Sequence, residues 1–148
     1  MFVFDTNVLI YAADRSCPEH VACRGLVETA RTSRIPWYVT WNIVYEFLRV
    51  TTHPRVLRSP WAVGDAWRFV DALLASPSAG ILAPTKRHAA VVEQTVADLP
   101  WLAGNLLFDA HTAVLMREHG VARVYTRDAD FKRFPFVDVL DPLGPAAR

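Results

Sequence analysis

A chain of 148 residues that is 52% hydrophobic and 21% charged is the size of one domain and apolar enough to bury a core, which excludes a disordered acidic or basic tail. Its 16 Lys and Arg against 15 Asp and Glu give a net charge of +1, without the positive excess that marks most nucleic-acid binders. Fourteen of the 16 basic residues are nevertheless arginines, the side chain suited to bidentate phosphate contact.

Phe2-Val3-Phe4 is a short, wholly apolar run of the kind found in a central parallel strand. Asp5-Thr6-Asn7 follows as a polar turn, and Val8 to Ala13 reads as the start of a helix. Pro18 opens a second helical segment that ends near Thr32. Trp37-Tyr38-Val39 is predicted as the second strand, with Asn42 capping a helix that carries Ile43, Val44, Phe47, Leu48 and Val50 and stops before Pro54. Pro60 is expected in the first turn of the next helix, which ends at Ser76-Pro77. Ile81-Leu82-Ala83 is a third strand, followed by a helix from about Arg87 to Leu99. The next helix starts at Gly104-Asn105, with Asn105 as cap and Gly120 as stop. Val121 to Tyr125 forms a fourth strand and Val137 to Leu140 a fifth. Strands alternating with helices imply parallel pairing. The fold class is therefore α/β, one three-layer domain over residues 1–148, with a four- or five-stranded parallel sheet flanked by helices.

Val8 to Ala13 is the longest uninterrupted apolar run, far below the ~20 residues that span a bilayer. Met1 to Asp5 lacks the basic stretch of a signal peptide. No membrane association is expected, and the compartment is expected to be the cytoplasm. Cys17 and Cys23 have no metal-ligand spacing and read as reduced thiols.

In open α/β sheets, sites form beyond the carboxyl ends of strands, which directs attention to Asp5-Thr6-Asn7 and Thr126-Arg127-Asp128. Asp5 is either a helix cap or a cleft carboxylate. Glu46 shares a helix face with Ile43 and Val50, so it is either paired with Arg49 or held near a metal or other acids. Asp109 sits in the first turns of a helix, where the dipole favours an anion, and Asp128 and Asp130 lie where a turn or cap would also account for them. Taken together, Asp5, Glu46, Asp109 and Asp128 lie after strands or on inward helix faces. Buried carboxylates repel one another unless a cation joins them, and an oxygen-only set suits Mg²⁺ or Mn²⁺.

The same residues carry a family resemblance. The opening Met-Phe-Val-Phe-Asp5-Thr-Asn7-Val-Leu-Ile-Tyr-Ala resembles that of PIN-domain ribonucleases. Glu46 in Ile-Val-Tyr-Glu-Phe-Leu-Arg, Asp109 in Gly-Asn-Leu-Leu-Phe-Asp-Ala-His and Asp128 in Tyr-Thr-Arg-Asp-Ala-Asp-Phe match the family's other acids. Thr51-Thr52-His53-Pro54-Arg55 and Pro84-Thr85 resemble the toxins of VapBC-type toxin–antitoxin modules. The likeness spans roughly residues 2 to 143. It implies a metal-dependent endoribonuclease acting as a type II toxin, with one or two Mg²⁺ or Mn²⁺ ions. Asp5, Glu46, Asp109 and Asp128 would be the catalytic and metal-binding acids, supported by Asn7, Thr126 and Asp130. Arg55, Arg127, Lys132 and Arg133 are the candidate RNA contacts. His111 reads as a helix residue packed near the site. The family further implies a small cognate antitoxin, a structured RNA substrate and a homodimer. Two other readings stand beside it: a non-catalytic PIN-like module that binds RNA or protein, and a phosphotransfer domain using Asp5 as nucleophile, which leaves Glu46 and Asp109 without a role. Four of the 15 acids belong to one site in the leading reading, so the rest of the chain carries an arginine-rich basic excess.

Overall fold

A computed structural model describes residues 1–144, so the last four residues of the predicted domain lie outside the described residues. The elements follow in the order β1 (Phe2–Phe4), α1 (Thr6–Ala13), α2 (His20–Thr32), β2 (Trp37–Thr40), α3 (Trp41–Thr51), α4 (Val63–Leu74), β3 (Ala79–Leu82), α5 (His88–Asp98), α6 (Leu106–His119), β4 (Arg123–Tyr125), a 3-10 turn (Ala129–Arg133) and β5 (Asp138–Leu140). The five strands form one sheet in the order β3-β2-β1-β4-β5. Every pairing is parallel, as the alternation of strands and helices predicts, and the sheet has its fifth strand.

That order places a switch point between β1 and β4. From β1 the chain builds outward through β2 and β3, then returns to the other side of β1 for β4 and β5. Val3 pairs with Val124 and Phe4 with Tyr125. Helices diverge at such a point and leave a crevice above the carboxyl ends of the two strands. Val3, Phe4, Trp37 and Val124 are buried in the centre of the sheet. Helix α1 packs against α2 and α3, α3 against α4, and α5 against α6. Helix α3 turns Ile43, Val44 and Phe47 inward, each worth ~1.5–3 kcal/mol when fully buried. No helix among the described residues is long and apolar enough to cross a membrane. Both cysteines are free thiols.

The structure corrects several boundaries. Thr40, not Asn42, caps α3: its Oγ1 accepts from the Ile43 amide at 3.2 Å, so the helix starts directly off the strand. Pro60 lies ahead of α4, because the Trp61 amide donates to the Thr51 carbonyl at 2.9 Å and holds that segment as a loop. Helix α2 starts at His20, after a turn closed from the His20 amide to the Cys17 carbonyl. Asn105 stands at the start of α6 without a side-chain cap bond. Gly120 ends that helix at φ +68°, a conformation that favours glycine. The Val121 amide is then engaged by the Met116 carbonyl, and β4 begins two residues later than predicted. Strand β3 begins two residues earlier, at Ala79, in register with Trp37.

Candidate metal centre

The site is built outward from Asp5. Its amide donates to the Tyr125 carbonyl at 3.1 Å, carrying the β1–β4 pairing up to the acid itself. Asp5 is both of the things its position allowed. Oδ1 caps α1 by accepting from the Thr6 amide at 2.7 Å. Oδ2 accepts from Asn7 Nδ2 and from Thr126 Oγ1, each at 2.6 Å. The Thr126 hydroxyl in turn accepts from Asn7 Nδ2 and from the Asp128 amide, both at 2.9 Å. Asn7 Oδ1 accepts from the Arg127 amide at 3.2 Å. The turn after β1 and the turn after β4 are thus stitched together across the switch point, with Asp5 fixed between them.

The other acids arrive from three further elements. Glu46 on α3 accepts from Thr6 Oγ1 at 2.9 Å and lies 3.6 Å from Arg49, so it is salt-bridged and at the site at once. Asp109 comes from the first turn of α6. Asp128 caps the 3-10 turn through the Asp130 amide at 2.9 Å. Carboxylate oxygens of Asp109, Asp128 and Asp130 lie within 4.8 Å of one another. All five acids line one cleft of about 620 Å³ between α3 and α6, together with Asn42, Tyr45, Arg49, Asn105, Phe108 and Thr112.

Crowding of like charge shows in the titration of these groups. Burial pushes Asp5 up to about 6, against the hydrogen bonds from Thr126 and Thr6, with Glu46 and Asp128 adding repulsion. Burial raises Asp109 to about 7, with Asp128, Asp5, Asp130 and Glu46 all contributing. Such a cluster holds its charge badly by itself, and a divalent cation relieves the strain. The donor set is oxygen throughout, which fits a hard cation and not zinc. His111 on α6 is half-buried and its basicity is lowered by burial and by His88, whose ring centroid is 6.1 Å away.

The four candidate RNA contacts fare differently. Arg127 is engaged by Glu19 at 2.8 Å and approached by Asp141 at 3.9 Å. Arg133 lies over the Trp101 ring at 4.4 Å and 3.9 Å from Asp130. Arg55 and Lys132 are exposed. The cation that does line the cleft is Arg49, which the sequence presents only as a partner for Glu46. Thr6, which donates to Glu46, is not singled out by the sequence; the signal for it is its place in the first helical turn, beside the acid that caps that turn.

Comparison with known proteins points to one family. A family model described as PIN domain matches residues 2–137. Ribonuclease VapC43 of Mycobacterium tuberculosis is 37% identical over 143 residues, covering 97% of this chain and 96% of that protein. Ribonuclease VapC48 of the same organism is 33% identical over 141 residues, covering 95% and 97%. The solved structure of VapBC2 from Rickettsia felis, bound to a DNA fragment from their promoter, matches with a TM-score of 0.64 at 15% identity, covering 94% of this chain and 96% of that one.

Proposed function

The chain belongs to the PIN domain family, and from that premise we propose that it is a metal-dependent endoribonuclease acting as the toxin of a type II toxin–antitoxin module. The observation that carries this reading is the convergence of Asp5, Glu46, Asp109, Asp128 and Asp130 on one cleft at the β1–β4 switch point. The full-length relatives named as ribonucleases support it.

Asp5, Glu46, Asp109 and Asp128 hold Mg²⁺ or Mn²⁺ in this reading, and Asp130, which clusters with Asp109 and Asp128, completes the set. One or two such ions would supply activation of the attacking water and neutralisation of charge on the leaving oxygen. The chain's own task is to hold the carboxylates ionised and in place. Asn7 and Thr126 do this for Asp5, and the Asp128 amide, bound to Thr126, ties the second loop to the same hydroxyl. Thr6 fixes the rotamer of Glu46. Arg49 offers a cation to the phosphate backbone. The partner calls follow from the same reading: a small antitoxin covers the cleft, the substrate is a structured RNA, the protein pairs with a second copy of itself, and it acts in the cytoplasm.

The decisive experiment combines purified protein with RNA in Mg²⁺ or Mn²⁺, with and without chelator, alongside expression in a bacterial host. Metal-dependent cleavage, and growth arrest that disappears in Asp128→Asn, are expected. Unimpaired growth and intact RNA at confirmed soluble expression would sink the reading. Thr126→Val keeps the shape of the side chain but deletes one donor and two acceptances around Asp5. It is expected to lower metal affinity and cleavage about 10–100-fold, the usual effect of removing a group that orients a ligand. Calorimetric metal titration checks it.

A further inference from the structure

The chain contains eight phenylalanines and four tyrosines. Among the described residues, Phe108 is the only exposed phenylalanine and Tyr45 the only exposed tyrosine, at 64% and 69%. Both line the acidic cleft, Tyr45 from the α3 wall and Phe108 from the α6 wall. Neither belongs to the aromatic clusters of the interior, where Phe4 packs with Trp37 and Tyr125 and where Phe47 packs with Trp61 and Phe69. An exposed apolar side chain standing alone needs no explanation. Two that converge on one cleft do.

Their placement is repeated. Tyr45 immediately precedes Glu46 on α3, and Phe108 immediately precedes Asp109 on α6. Successive residues of a helix are turned by about 100°. On each wall, therefore, an acid at the centre of the site has an aromatic ring as its neighbour around the helix. Arg49 stands one turn beyond Tyr45 on the same wall. A phosphodiester lying at the carboxylates carries a base on either side of it. Flat apolar rings next to ionic groups suit a nucleobase on a charged backbone. They do not suit an apolar peptide, which would have to bury the acids and Arg49 without a partner for them.

Resting on the ribonuclease reading, we propose that Tyr45 and Phe108 are the specificity-determining residues that hold the RNA at the cleft, as stacking platforms for the bases on the two sides of the cleaved phosphate. Stacking uses the face that every base has, so these two residues act on an accessible base and not on its identity.

The test presents one RNA sequence in two forms, unpaired and locked in a perfect stem, to the wild type and to single variants at each position. Tyr45→Ala, Phe108→Ala, Tyr45→Leu and Phe108→Leu are expected to raise KM for the unpaired form about 10–100-fold, with kcat changing far less. Tyr45→Phe and Phe108→Trp retain a ring and are expected to keep the wild-type KM. The wild type is expected to cleave the unpaired form in preference to the stem. Both rings are exposed, so melting temperatures should stay close to wild type and separate binding from folding. Wild-type KM for the unpaired form in the alanine or leucine variants overturns the proposal while leaving the ribonuclease intact. No cleavage of either form by the wild type overturns the ribonuclease reading itself.

Discussion

Metal-free protein carrying Asp109→Asn is expected to melt at a higher temperature than the wild type at pH 8, and at the same temperature at pH 4. The reasoning is proton linkage. Asp109 has its pKa raised in the folded chain, from 3.8 to about 7, by burial and by four neighbouring acids. The unfolded chain therefore binds fewer protons than the folded one between those two values. Stability falls as pH rises through that window, and the loss is complete above about pH 7. Asparagine carries no charge at any pH and escapes the loss. Asp109 is half-buried, so solvent screening limits the relief to about 1–2 kcal/mol. At ~2–4 °C per kcal/mol for a chain of this size, several degrees are expected. Asp5 is more deeply buried and raised to about 6, so Asp5→Asn relieves on the order of 3 kcal/mol of the same kind. Being a cap and the centre of the hydrogen-bond network, it also loses acceptor strength there.

In the proposed reading the same substitution is also expected to remove function. A lost metal ligand is expected to lower RNA cleavage by more than about 100-fold, beyond what an orienting neighbour costs. Addition of Mn²⁺ or Mg²⁺ is expected to raise the melting temperature of the wild type far more than that of Asp109→Asn. Metal affinity of the wild type should climb with pH until Asp5 and Asp109 are both ionised, near pH 7, with protons released on binding below that. A metal-free variant no more stable than wild type at pH 8 would show that the repulsion is relieved in some other way, and the cation would lose its physical rationale.

Much of this centre is legible in the sequence, because the acids announce themselves together. Each acid alone has an ordinary explanation as a cap, ion pair, turn residue or helix-dipole partner, and Glu46, expected on an inward helix face, is exposed at the cleft, as is Asp128. Asp5, Glu46, Asp109 and Asp128 are visible as a set, and parallel alternation supplies the geometry that joins them. What the sequence hides depends on exposure and pairing. Nothing in the composition distinguishes Phe108 from the buried Phe131, or Tyr45 from Tyr125, until the surface is known. Arg127 and Arg133 look like free cations near an acid, yet the fold places Glu19 beside one and Trp101 under the other. Helix starts shift for a local reason. Thr40 and Asn42 are both good caps, and only the backbone at the end of β2, with Thr40 extended at ψ 162°, decides between them.

Glu118→Ala is expected to be the most destabilising single change outside the core, at about 3–5 kcal/mol, or on the order of 10 °C in melting temperature. Its side chain is fully buried in the last turn of α6, where the helix dipole disfavours an anion. What holds it there is a complete set of donors. The Thr85 amide gives to Oε1 at 2.7 Å, the Thr85 hydroxyl gives to the same oxygen, and His88 Nδ1 meets Oε2 at 2.7 Å. The Glu118 carbonyl also accepts from Arg87 at 2.7 Å. Burial by itself would raise this acid, but the bonds from Thr85 and His88 prevail and hold it at about 2. The sign is opposite to that at the cleft. The unfolded chain binds the proton more readily, so Glu118 contributes its stability above pH 4.5, and that contribution is lost as pH falls from there toward 2. Denaturation of the wild type and of Glu118→Gln should therefore differ most near neutrality and converge in acid. Asp109 and Glu118 are nine residues apart on one helix, about 13 Å. The first has the dipole in its favour and is still pushed toward protonation. The second has the dipole against it and is still held ionised. In both, the immediate neighbours outweigh the helix, and what separates a site from a structural anchor is whether those neighbours are acids or donors. Cleavage per folded molecule should accordingly survive Glu118→Gln at low temperature. A loss of activity in a variant that remains folded would show that the two ends of α6 are coupled.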